Sequence, residues 1–266
     1  MTVQGLWQNE YGSQMSLAAY PGGLVFGTYS SSTGSTGKYY VVGWQQAAEP
    51  TSAAGQPVAL AIDWHSITGG QGDPSWNWTS GLSGQLSIQN NAQQLVLAHA
   101  MVASNDFPKL CRAGTYIDKL IYQRVSEAQP QALERPEGGA AAAADPLAGT
   151  WQSSDGAVLL MLQVQPAPDN MFGWVSGKVQ AGGGTFIVEG VTDINARSSG
   201  LYLQSVSITA LTQAGGVVAY GGTLDLRSGA LTLLVLSSGA TAATATYVQT
   251  TAGQLSFRRI ADGAPD

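Results

Sequence analysis

An all-β chain made of two tandem antiparallel barrels, each of eight up-and-down strands, is predicted by three observations. These are a composition poor in charge and rich in glycine, apolar alternation in short regular segments, and an opening motif that recurs in both halves. Charged residues are 11% of the 266 residues, against ~25% in ordinary soluble domains. Glycine occurs 34 times, and Ser, Thr and Gln supply most of the polarity. Such a chain suits strands joined by tight turns, and no stretch sustains the 3.6-residue apolar period of a helix.

The elements follow in order. In the first half, β-rich or alternating segments are Met15–Ala19, Gly23–Tyr29, Tyr39–Gln45, Val58–His65, Asn77–Ile88, Gln94–Val102 and Ile117–Val125. Between them lie Pro21-Gly22-Gly23, Ser31–Gly37, Thr68–Asp73 and Asn90-Asn91, whose residue types favour positive φ or side-chain-to-backbone bonds. From Ser126 to Pro146 the chain becomes rich in Pro, Ala and Gly without an apolar face, which is linker chemistry. The expected organisation is a barrel over 1–126, a linker over 127–146, a second barrel over 147–261 and a tail over 262–266. Strands of the second half are expected at Val158–Gln165, Gly173–Val179, Thr185–Val191, Leu201–Leu211, Val217–Asp225, Ala230–Ser237, Ala243–Thr250 and Gln254–Ile260.

The halves align at both ends. Gly5-Leu6-Trp7-Gln8-Asn9-Glu10-Tyr11-Gly12-Ser13 matches Gly149-Thr150-Trp151-Gln152-Ser153-Ser154-Asp155-Gly156-Ala157 without gaps. The closing segments pair Tyr122-Gln123-Arg124 with Phe257-Arg258-Arg259. An opening Gly-x-Trp and a closing aromatic-x-Arg suit a seam where first and last strands meet and a Trp plugs one end. Trp7 and Trp151 are therefore expected at the seam.

Composition excludes several function classes. A net charge of −6 is a poor match for a polyphosphate partner, which needs clustered Lys and Arg. One Cys and two His are too few for a disulfide framework or a His/Cys metal site. No run reaches the roughly 18 apolar residues of a membrane-spanning helix. The start of the chain lacks a basic and apolar leader, so a cytoplasmic protein or a mature secreted form is expected. There is no Gly-x-Ser-x-Gly elbow, phosphate loop or His-Glu-x-x-His, and neither a cofactor nor a metal is implied.

The first half resembles the avidin/streptavidin family. The resemblance rests on Gly5-x-Trp7-x-Asn9-x-x-Gly12-Ser13, Gly27-Thr28-Tyr29-Ser30-Ser31, Ala59-Leu60-Ala61-Ile62-Asp63-Trp64 and Ser83-Gly84-Gln85. It implies an eight-stranded barrel that holds biotin at one open end. By position, Asn9, Ser13 and Tyr29 are the donors to a ureido oxygen, and Ser31 accepts from a ureido nitrogen. Thr33 and Gly34 fall in the tail-binding loop, Trp64 in the apolar wall, and Ser80 at the hydroxyl that meets the ligand's sulfur. Three neutral donors on one carbonyl polarise it without burying a formal charge.

Departures accompany these matches. Leu82 stands where the family has Trp before Ser-Gly-Gln, and Gln94 or Leu95 stands at the next Trp. Phe107 occupies the place of a Trp that a neighbouring subunit usually supplies. Counting back from the chain's end puts Leu120 at the acidic position of the last strand, with Asp118 two residues away on the same face. Trp78, with Trp76, is expected to compensate from Asp73-Pro74-Ser75-Trp76-Asn77-Trp78. In the second half Ser153, Ala157 and Val179 replace Asn9, Ser13 and Tyr29, so no similar pocket is expected there.

The expected function is non-enzymatic binding of biotin or a biotin-like small molecule by the first barrel, more weakly than in typical avidins. Two alternatives stay open: a different ligand such as a glycan or an apolar molecule, and a cyclase-type enzyme that works by confinement. Asp63 and His65 flank Trp64 and so point outward, to solvent or a subunit contact. His99 reads as a satisfied core or interface residue, and Cys111 as a plain thiol. A homo-oligomer, specifically a dimer of two-barrel chains, is implied by the resemblance and by apolar outward strand positions.

Overall fold

The computed structural model describes residues 2–31, 36–89, 92–128, 144–242, 245 and 250–260. Strands β1 (Gly5–Asn9), β2 (Gln14–Ala19), β3 (Leu24–Ser31), β4 (Gly37–Gln45), β5 (Gln56–Asp63), β6 (Thr79–Gln89), β7 (Ala92–Ala103) and β8 (Gly114–Ser126) close into one antiparallel barrel in chain order. A second barrel closes from β9 (Gly149–Ser153), β10 (Val158–Pro166), β11 (Gly173–Ala181), β12 (Gly184–Thr192), β13 (Leu203–Leu211), β14 (Val217–Asp225), β15 (Leu231–Ser238) and β16 (Thr250–Ile260). The fold is thus two tandem eight-stranded up-and-down barrels, as the alternation predicts.

Two segment readings change. The first two residues of the expected strand from Asn77 open differently, because Pro74–Asn77 forms a 3-10 turn. Asp73 caps that turn by accepting from Ser75 N at 2.8 Å, so the strand starts at Thr79. The segment expected as a strand at Ala243–Thr250 falls mostly outside the described residues. Its last residue, Thr250, opens β16 and pairs with Ser238 of β15. Thr33, Gly34, Asn90-Asn91, most of the 127–146 linker and the 262–266 tail also lie outside the described residues.

Both seams use the recurring motif. Trp7 is fully buried and donates Nε1–H to Val3 O at 2.7 Å. Arg124 lies opposite it on β8, 4.4 Å above its ring, and holds Gln4 O and Thr2 O. In the second barrel Trp151 donates to Leu147 O at 2.8 Å, with Arg259 as its cross-strand partner. Both barrels open on glycine at positive φ, Gly5 at +135° and Gly149 at +136°. A Cβ on Gly5 would lie 2.5 Å from Ser126 O, so only glycine lets the chain close there.

Alternation divides each wall into an inner and an outer face. Inward residues of the first barrel, including Met15, Leu17, Val41, Leu60, Leu82, Leu97 and Leu120, form its core. The second barrel is filled by Leu160, Leu162, Val188, Ile208, Leu231, Leu233 and their neighbours. Outward residues of β4–β7 then pack against β12–β15. Phe26, Val42 and Ala61 meet Phe172, Trp174 and Val191, while Ala59 and Ala100 meet Val217, Ala219 and Leu236. Small side chains let the walls approach closely: a Cβ on Gly81 would stand 2.9 Å from Ser207 Oγ.

Polar contacts fix the register of this wall. Ser83 and Ser238 hydroxyls meet at 2.8 Å, Gln85 exchanges bonds with Thr241, and Gln46 Nε2 donates to Gly216 O at 2.6 Å. The pairing is antiparallel. The end of the first barrel carrying the β5–β6 connection meets the β12–β13 end of the second, and its far end meets the β13–β14 and β15–β16 connections.

Candidate functional site

One end of the first barrel gathers most of the residues singled out from sequence. Asn9 ends β1 and is buried; its Oδ1 accepts from Tyr11 N at 3.1 Å and Ser13 N at 2.9 Å. The Asn9 side chain also reaches the Tyr122 phenol. Ser13 is buried beside it, and Tyr29 is buried on β3 with its ring edge-on to Trp64, centroids 5.6 Å apart. Trp64 also meets Tyr39 at 4.9 Å. Trp78 is buried, donates Nε1–H to Asn105 Oδ1 at 2.7 Å, and meets Phe107 edge-on at 5.9 Å.

Ser80 is fully buried inside the same end. It accepts Nε1–H of Trp64 at 2.8 Å and lies 2.8 Å from His99 Nε2. His99 sits on β7 opposite Leu82 of β6 and Asp118 of β8. Burial pushes its pKa down to about 4, with the Asp118 charge pulling the other way, so the imidazole is neutral at pH 7. Ser31 ends β3 at this rim, paired with Gly37. Asp118 stands apart from the Asn9 cluster, exposed at the rim, its Oδ1 taking Lys119 N.

Tyr122 is the group that sequence reasoning missed. It lies opposite Asn9 across the β1–β8 seam and is fully buried. Its hydroxyl makes no well-aligned hydrogen bond, and the Tyr29 and Asn9 side chains stand within hydrogen-bonding reach of it. Burial drives its pKa well up, the neighbouring Tyr29 phenol adds to this, and Asn9 opposes it. The β1–β8 pairing shifts register between Leu6 and Trp7 and sets Tyr122 level with Asn9.

The rim is tied to the second barrel. Asn77 O accepts from Ser104 Oγ of the β7–β8 connection and from Ser205 Oγ of β13, both at 2.7 Å. His65 stacks on Trp76 at 4.0 Å and its ring bonds the backbone of Met171. The outward Asp63–His65 pair therefore faces the other barrel. Asp63 and Asp193 are both buried there, each with one carboxylate oxygen unpartnered. Burial raises both pKa values, that of Asp193 to about 7.

The second barrel lacks the corresponding polar set. Ser153 Oγ donates to Asp155 at 2.6 Å and accepts from Val158 N, closing its own turn. Val179 is buried among apolar side chains. Tyr220 is its buried phenol, with burial lifting its pKa to about 12. Among the described residues no group of three His, Cys, Asp or Glu side chains could hold a metal ion.

Comparison with known proteins bears on the first barrel. The crystal structure of Xenavidin is similar over 46% of this chain and 96% of its own, at 18% identity and a TM-score of 0.37. The X-ray structure of a biotin binding protein from chicken covers 46% and 95%, at 21% identity and a TM-score of 0.36. No curated protein sequence matches the chain. The Avidin family model matches residues 1–109, which places the resemblance in the first barrel.

Proposed function

We propose that the first barrel is a non-enzymatic small-molecule binding site of the avidin type, taking biotin or a ligand with a similar cyclic urea or amide head. The observation that carries this reading is the convergence of Asn9, Tyr29 and the fully buried Tyr122 hydroxyl, which has no well-aligned hydrogen bond, at one barrel end. An unsatisfied buried polar group costs about 1–3 kcal/mol, and a ligand carbonyl or N–H at this point relieves that cost. Asn9, Ser13 and Tyr29 are the proposed donors to the head group. Ser31 and Thr33 serve its flank and tail, Trp64 and Trp78 its apolar wall, and Ser80 and Asp118 the β6–β8 side. The chicken protein's printed description as biotin binding supports biotin as the first ligand to test.

Tryptophan fluorescence titration with biotin tests the reading, because Trp64 and Trp78 line the proposed wall. A saturable change that Asn9→Ala and Tyr29→Ala both abolish supports it; no change at millimolar biotin overturns the biotin form. A dimer of two-barrel chains belongs to the same proposal, supported by Leu110, Tyr116 and Ile117, which are exposed beside the rim. Sedimentation equilibrium giving the mass of a single chain overturns that part.

A further inference from the structure

The inner wall of the first barrel holds a hydrogen-bond chain whose direction can be worked out. Trp64 Nε1 is a donor only, and Ser80 Oγ accepts from it at 2.8 Å. Ser80 is fully buried, so its own proton needs an acceptor. His99 Nε2, 2.8 Å away, is the one described. An imidazole that accepts at Nε2 while neutral carries its proton on Nδ1. The chain therefore runs Trp64 N–H to Ser80 O–H to His99, and it ends on an N–H donor. Ser80 is occupied in both directions, so it meets a ligand by contact and not as a hydrogen-bond donor.

The groups facing His99 across the sheet are Leu82 and Ser80 on β6 and Asp118 on β8. Asp118 is at the exposed rim and makes no hydrogen bond to the ring among the described residues.

We infer that His99, through Nδ1–H, reads a hydrogen-bond acceptor on the ligand, so the site favours a head group with an oxygen at this wall over a thioether or a methyl. The inference rests on the reading of the first barrel as a biotin-type site. Three probes differ at the atom concerned: biotin sulfoxide offers an S=O acceptor, biotin a thioether, and desthiobiotin neither. One neutral hydrogen bond gives an expected preference of about tenfold for the sulfoxide over desthiobiotin in the full-length chain. His99→Phe collapses that preference, while His99→Gln, which keeps an acceptor for Ser80 and an N–H donor, retains part of it.

A ligand-free measurement accompanies the titrations. Imidazole nitrogen NMR of the wild-type chain is expected to show His99 protonated on Nδ1 and bare on Nε2. The opposite tautomer overturns the inference, as does binding of all three probes without preference or a preference that survives His99→Phe. Those results leave the biotin-type reading standing. Failure of the wild-type chain to bind any of the three overturns that reading, and the inference with it.

Discussion

Tyr122 sets two quantities against each other at a single atom. Its hydroxyl is buried beside Tyr29 and Asn9 without a well-aligned hydrogen bond in the ligand-free barrel, so Tyr122→Phe is expected to stabilise the unliganded protein by about 1–2 kcal/mol. The same change removes a group that a bound head can satisfy, so affinity is expected to fall about tenfold. Thermal melts with and without biotin check this: the unliganded Tm rises and the ligand-induced shift shrinks. A structural tyrosine would lower the unliganded Tm and leave the shift alone. Asn9, Ser13, Tyr29, Trp64 and Ser80 were legible in the sequence because contiguous motifs carry them, and the structure brings them to one barrel end. Tyr122 and His99 were not, because alternation tells inward from outward but not height along the barrel. The seam's register shift moved the last strand relative to Asn9. His99 sits in an apolar strand, and its partner Ser80 is 19 residues away.

At the scale of the element, the β5–β6 connection decides how firmly Trp64 and Trp78 are held. Its backbone at Asn77 bridges both barrels, taking one hydroxyl from Ser104 and one from Ser205. Ser205→Ala removes the second bond without touching the proposed pocket. Amide exchange over residues 74–78 is expected to rise about tenfold, with a smaller loss of biotin affinity expressed in the off-rate. Unchanged exchange there would show that the Ser104 bond alone holds the turn. Strand positions of β2–β8 and β10–β15 were readable from alternation and turn chemistry. Asn77 and Trp78 were misread as strand because Trp78 has strand propensity, and the turn capped by Asp73 overrode it.

The two barrels act on each other through a wall that carries charge in an unusual place. Asp63, Asp145 and Asp193 all have pKa values raised by burial, with Asp63 and Asp193 coupled and Arg197 easing only Asp145. A native pKa above the unfolded value of ~3.9 means the folded state holds the proton more tightly. That contribution is complete below pH ~4 and disappears as pH rises through about 7 for Asp193. Asp193→Asn keeps the oxygen that accepts from Asn195 N and cannot ionise. It is expected to raise Tm at pH 8, do little at pH 4, and flatten the profile between; a parallel shift at both pH values would contradict this. Gly81→Val tests the same wall by volume. Its Cβ meets Ser207 Oγ at 2.9 Å, and the crowding is expected to cost about 1–3 kcal/mol in a chemical melt. Outward Ala, Gly and Ser positions gave no sign in the sequence of which surface covers them, because small residues suit solvent and a close-packed wall equally.

The antiparallel pairing of the barrels has a consequence for how the protein behaves on dilution. Where single-barrel chains meet through a wall of this kind, the contact is a second-order event that disappears below its dissociation constant. Here one polypeptide carries both halves of the wall, so the effective local concentration is fixed by the tether and not by the amount of protein. The Ser205 bond to the binding rim therefore persists at the lowest working concentrations, whether or not whole chains pair.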